Sequence, residues 1–210
     1  MVRHLAVVLA GVTAVVMLVS AIAAGPVAAA GRNGGQRVTD SKDGFSLVLP
    51  SDWTQVSLSG SDIGAIIGSA SKVASLNQTA LSDAEGAAKQ GLKFFALSSQ
   101  SEDGGAFDPN VNVGVYQGTT STSLLDAQIK LQLAELGAKQ VATRKVHFPI
   151  GTVIEGSYSV PSQSIGKLYG TQVYAMHNGR TYIITFSTAD PSYLAKTVAT
   201  IMPTWRFTSG

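Results

Sequence analysis

Between Thr171 and Ser187, apolar and polar side chains alternate on both sides of Asn178-Gly179, the pattern of a β-hairpin. Val173, Ala175 and His177 share one parity before the turn; Tyr182, Ile184 and Phe186 share one after it. A type I′ turn needs positive φ at both central residues, and Asn-Gly adopts it at least steric cost. Closing the chain there pairs Ala175 with Tyr182 and Val173 with Ile184, on one face that must be covered. The opposite face, with Gln172, Tyr174, Met176, Ile183 and Thr185, is mixed. Such a hairpin belongs in the interior of an antiparallel sheet.

The same alternation predicts further strands. Phe45, Leu47 and Leu49 follow the Asp43-Gly44 turn and stop at Pro50, with Trp53 next as a core-edge aromatic. A strand apolar on both faces covers Gly91–Ser98, and Val111, Val113 and Val115 mark another. Two more flank Pro149. In the second of them Ile154, Tyr158 and Val160 are expected to face in, and Glu155, Ser157 and Ser159 out. A helical period appears at 61–90, where Ile63, Ile66, Ile67 and Ala70 share a face. The clearest helix is 121–137, with the stripe Leu125, Ile129, Leu133 and Leu136, Ser123 and Asp126 as a capping box, and Gly137 at C′. Asp190-Pro191 opens a last helix with Leu194, Val198 and Ile201 inward; Pro203 stops it, and Trp205 and Phe207 dock the tail. Strands and helices are interspersed, but hairpin spacing dominates the second half. The expected class is α+β, an antiparallel twisted sheet sandwiched by helices and preceded by an apolar leader helix.

That leader is residues 1–30. Leu5–Ala24 carries no charge, Gly25-Pro26 breaks it, and Ala28-Ala29-Ala30 offers the small side chains a signal peptidase accepts, with cleavage after Ala30. The apolar run also approaches the length of a membrane anchor, so a signal peptide and an uncleaved anchor are both compatible with it. Either way the domain lies outside, secreted or at the cell envelope, and touches membrane only through this segment. Residues 31–40 read as a flexible tether and 41–210 as one domain. The chain has 15 Lys+Arg against 13 Asp+Glu, and only Arg3 of these lies in the leader. No strong field is present for nucleic acid. Charged residues make up 13%, about half the usual share, so a partner surface must rely on aromatic and backbone contacts.

Candidate chemistry is sparse. The absence of cysteine removes disulfides, thiolate nucleophiles, cysteine-ligated metal and lipid attachment through an N-terminal cysteine. His147 and His177 lie in different strands, without metal-site spacing; either with a nearby Ser or Asp is the residue pair a hydrolase would use. No nucleophile elbow or phosphate-binding glycine loop occurs, and no cofactor is indicated. Asp103, Asp108 and Asn110 lack the spacing of a calcium loop. Asn77-Gln78-Thr79 is a glycosylation sequon. Phe107 stands apart: it lies between Gly104-Gly105 and Asp108-Pro109, outside any apolar period. It fits either a loop anchor tucked back against the domain or an exposed contact, and on the second reading Asp103, Phe107, Asp108 and Asn110 are the expected protein-contact residues.

Gly44–Pro50 followed by Trp53 resembles the opening of the LpqN/LpqT-like exported proteins of actinobacteria. Asn110-Val111-Asn112-Val113, the helix ending Leu136-Gly137, the Pro149-Ile150-Gly151 turn and the hairpin with Tyr182–Phe186 are similar in order. The resemblance covers about residues 43–207 and implies a PsbP-like fold, shared with a photosystem II extrinsic protein and a Ran-binding nuclear transport factor. It implies binding rather than catalysis, and it transfers no catalytic residue. Members of that family are often lipoproteins; this chain lacks the lipobox cysteine. The expectation is an exported, non-catalytic module with a protein partner. The alternatives are a hydrolase built on His147 or His177, and a carrier of a small apolar ligand or lipid.

Overall fold

A computed structural model describes residues 35–58, 91–100, 107–119, 121–135, 137–163 and 165–208. The leader with its Ala28 and Ala30 cleavage site, the helical pattern at 61–90, the Asn77 sequon, Asp103 and Leu136 lie outside these residues.

Among the described residues, ten strands and two helices follow in order: β1 Gln36–Asp40, β2 Phe45–Leu49, β3 Trp53–Gln55, β4 Leu92–Ser98, β5 Asn110–Gln117, α1 Thr122–Glu135, β6 Lys139–Phe148, β7 Gly151–Ser162, β8 Gly166–His177, β9 Arg180–Thr188, α2 Pro191–Ile201, a 3₁₀ turn Met202–Thr204 and β10 Arg206–Phe207. The pairings are antiparallel throughout. Seven strands form one sheet in the order β3-β4-β5-β9-β8-β7-β6, and β1-β2-β10 form a second. The described chain is thus α+β and sheet-rich, as the periodicity predicts.

The β8–β9 hairpin sits at the middle of the large sheet. Asn178 and Gly179 take φ of 48° and 74°, and the register pairs Ala175 with Tyr182 and Val173 with Ile184. One face of the sheet carries Phe94, Val111, Val113, Val173 and Ile184 against Phe45, Leu47, Leu49, Trp205 and the inner face of α2. Trp205 lies flat on Phe45, with ring centroids 5.0 Å apart and planes within 5°. The other face carries Ile154, Tyr158, Tyr174 and Ile183 against Leu125, Ile129 and Leu133 of α1. The sheet is covered on both sides, which explains why the mixed face of the hairpin is buried.

Local chemistry sets the helix ends. Asp190 caps α2 by accepting from Ser192 N–H at 2.7 Å, with Pro191 in the first turn. At the end of α1, Gly137 has φ 74°, and Gly137 and Ala138 N–H return to Ala134 and Leu133 C=O, a Schellman closure. Its start differs from the expected capping box. Ser121 Oγ accepts from Leu124 N–H, whereas Asp126 turns outward to accept from Lys130 and Thr143. Ser123 and Asp126 therefore do not form a box; Asp126 is better satisfied by the neighbouring strand and by the i+4 lysine.

Two expectations are corrected. Gln36–Asp40 is no tether: it pairs along the whole of β2, Gln36 opposite Leu49 and Asp40 opposite Phe45. α2 ends at Ile201, and Pro203 lies within the 3₁₀ turn that follows it. Glu155 and Ser159 of β7 do not face solvent. Both faces of β7 are covered, one by α1 and the other by the wall of a groove described next.

Candidate functional site

α2 lies over β8 and β9 and stops short of the β6 edge. A concavity of about 470 Å³ remains between the helix and β6–β8. Its floor and walls are mostly apolar: Val146 and Phe148 from β6, Tyr169 from β8, and Leu194 and Val198 from α2. Strand parity brings Gln140 and Arg144 of β6, Glu155, Ser157 and Ser159 of β7, and Thr171 of β8 to the same space. The size and the mixture, an apolar body with a few convergent polar groups, are those of a small-molecule or side-chain site.

The electrostatic feature of this groove is one ion pair. Arg144 Nε and Nη2 each approach Oε1 of Glu155 at 2.7 Å. The Glu155 side chain is 4% exposed and the Arg144 side chain 71%. The buried carboxylate is therefore neutralised from the rim, and the guanidinium keeps further N–H donors toward solvent. At the helix end of the groove, Asp190 is held below its usual carboxylate range, mainly by the Ser192 hydroxyl and then by Ser192 N–H.

Behind the groove, on the α1 face of the sheet, lies a row of buried polar side chains. Gln172 pairs in register with Thr185, and Ser187 with Gly170. The Tyr174 hydroxyl donates to Gln172 Oε1. Burial raises the phenols of Tyr116 and Tyr158 above their ordinary range, and the neighbouring Tyr174 adds to both shifts. Tyr158 lies directly over Gly170, where a Cβ would stand 2.1 Å from the ring.

The residues expected from sequence fall elsewhere. Phe107 is not an exposed contact: at 0% exposure its ring joins Leu125, Ile129 and Tyr116 in the α1 core. Three residues later the chain enters β5, which carries the aromatic beneath α1. Asp108 is half-buried and Asn110 is buried at the start of β5. His147 is exposed, with Nδ1 3.4 Å from Thr152 Oγ1. His177 is half-buried, its ring stacked on Phe207 at 4.2 Å. Neither histidine lines the groove. Among the described residues, no group of three His, Cys, Asp or Glu side chains could hold a metal, and no helix is long and apolar enough to cross a membrane.

The groove residues Arg144 and Glu155 were legible in principle. A turn at Pro149-Ile150 opposes Phe148 to Gly151, and counting outward opposes Arg144 to Glu155. An acid and a base on opposed strand positions, with aliphatic neighbours, are the available signal.

No family model and no curated protein sequence matches the chain. Solved structures do resemble it. The cyanobacterial PsbP protein CyanoP from Synechocystis superposes with a TM-score of 0.51 at 13% identity, over 87% of this chain and 98% of that one. LpqN of Mycobacterium tuberculosis, described as involved in cell envelope biogenesis, superposes with a TM-score of 0.50 at 12% identity, over 82% of this chain and 90% of that one. The fold is PsbP-like.

Proposed function

We propose that this chain is an exported, non-catalytic binding module of the LpqN/LpqT-like kind, acting at the cell envelope or outside the cell. Residues 1–30 deliver it there, cleaved or as an anchor, and the domain that follows makes protein contacts. The observation that carries this reading is the groove between α2 and β6–β8. It offers apolar floor, aromatic rim and a fixed arginine, and it holds no histidine, cysteine or serine–histidine pair with which to do covalent chemistry. Its likeness in fold to LpqN, a protein described as acting in envelope biogenesis, supports the compartment.

The test is capture from envelope extract with the domain and with a Val198→Arg variant, which fills the groove from α2. A specific partner retained by the first and lost by the second is expected. Recovery of no specific partner, together with turnover of a small substrate, overturns the reading.

A second reading, a carrier of a small apolar ligand, is favoured by one feature, the volume of about 470 Å³ with a mostly apolar lining. Native mass spectrometry of the purified domain separates the two: a bound lipid displaced by Val198→Arg supports the carrier, and bare protein supports the protein-contact module.

A further inference from the structure

Among the described residues, β6 is the end strand of the seven-stranded sheet and pairs with β7 alone. Among the described residues, no backbone group of Val141–Phe148 is bonded to anything beyond that partner. An edge of this length is a template for a further strand. Its register is irregular only near its start, where Gln140 takes φ 53° and the pairing shifts between Lys139 and Ala142; from Ala142 to Phe148 it is continuous.

The side chains along this edge are of one sign. β6 carries Lys139, Arg144, Lys145 and His147, and no acid. Arg144 is matched by Glu155, and the nearest acid on α1, Asp126, is held by Lys130 and Thr143. Among the described residues, Lys139 and Lys145 stand exposed without a carboxylate partner. Alternate side chains of an added strand would enter the groove beside Val146 and Phe148, and the others would lie along the Lys145 face.

Resting on the reading of the chain as a protein-binding module, we propose that the β6 edge takes an extended acidic segment of a partner protein as an added strand. Main-chain bonding supplies the affinity, the groove selects apolar side chains at alternate positions, and Lys139 and Lys145 select acids. Charge decides against two other occupants. A second copy paired antiparallel through β6 would set Arg144 and Lys145 of one chain against the same cations of the other. The chain's own residues 1–34 contain Arg3 and Arg32 and no acid.

The probes are ten-residue peptides of alternating Val and Glu, the same peptide with Lys for Glu, and two versions N-methylated at odd or at even positions. Fluorescence anisotropy and amide exchange on the whole domain are the readouts. The Val/Glu peptide is expected to bind, to slow exchange along 141–148, and to weaken as salt rises. Lys139→Glu with Lys145→Glu should weaken it by about tenfold or more, and Lys145→Gln by less. One N-methylated phase should lose binding and the other keep it, because only one edge of the peptide faces β6. Equal binding of the Lys peptide, unchanged exchange along β6, or equal tolerance of both methylated phases overturns the proposal. An envelope partner captured equally well by the double charge variant also overturns it, and leaves the binding-module reading standing.

Discussion

Arg144 reaches across from β6 to place two N–H donors on a single oxygen of Glu155, Oε1, at 2.7 Å each. The two partners differ in what they can do alone. Arg144 is mostly in water and loses little when its partner goes. Glu155 is enclosed by the groove wall, and among the described residues it pairs with no other cation.

Removing Arg144 should therefore cost more than neutralising Glu155. Arg144→Ala strands a carboxylate in a poorly solvated place, for about 1–3 kcal/mol. Glu155→Gln leaves a neutral acceptor in the same space and an arginine free to be hydrated. Urea unfolding of both variants checks the order; equal losses would mean that the pair acts by packing alone.

Phe107 supplies the second expected outcome. It is fully buried under α1, so Phe107→Ala opens a cavity beside Leu125 and Ile129. The loss should be about 3–5 kcal/mol. A melting temperature within a degree or two of the parent would contradict that burial.

The burial of Phe107 also shows where reading the chain falls short. Strands and helices were legible because their periods are local: the Asn178-Gly179 turn fixes the β8–β9 register, and Asp190-Pro191 opens α2. Phe107 has no period of its own, and which surface covers it depends on α1 arriving from later in the chain. Glu155 failed for a related reason. Alternation assigns it to the polar side of β7, but both sides are covered, and the arginine that makes burial tolerable comes from the opposite strand. β1 was missed because Gly35–Asp40 carries one buried apolar residue, Val38, and gains its structure from pairing with β2. The groove itself is a property of three strands and a helix together, so only the Arg144–Glu155 opposition could be counted out in advance.

Gly170 and Tyr158 oppose each other in register, and the phenol ring occupies the space a side chain at 170 would fill. An alanine Cβ would stand 2.1 Å from the ring and 2.2 Å from its oxygen. Tyr158 is enclosed and cannot swing into solvent. Gly170→Ala should cost about 3 kcal/mol through forced displacement of the ring. In a Tyr158→Leu background the added methyl meets a shorter side chain, so the two changes should couple favourably by about 1–3 kcal/mol. Additive losses in denaturant unfolding would place the strain elsewhere.

The cap of α2 makes a prediction about acid. Asp190 accepts from Ser192 N–H at 2.7 Å and from the Ser192 hydroxyl at 2.8 Å, and these bonds hold its carboxyl below the usual value. A group depressed in the folded state binds its proton more weakly there than in the unfolded chain. Its contribution is complete above the unfolded value of 3.8 and is lost as pH falls from there through the lower folded value. Asparagine caps nearly as well but does not titrate in this range. Asp190→Asn should thus leave stability at neutral pH close to the parent and remove part of the parent's acid sensitivity below about pH 4. Asp126, also depressed through Thr143 and Lys130, keeps its own share in both proteins, so the difference between the two curves isolates the cap. Parallel curves from pH 6 down to pH 2 would show that the Asp190 carboxylate is bonded no better in the folded chain than in the unfolded one.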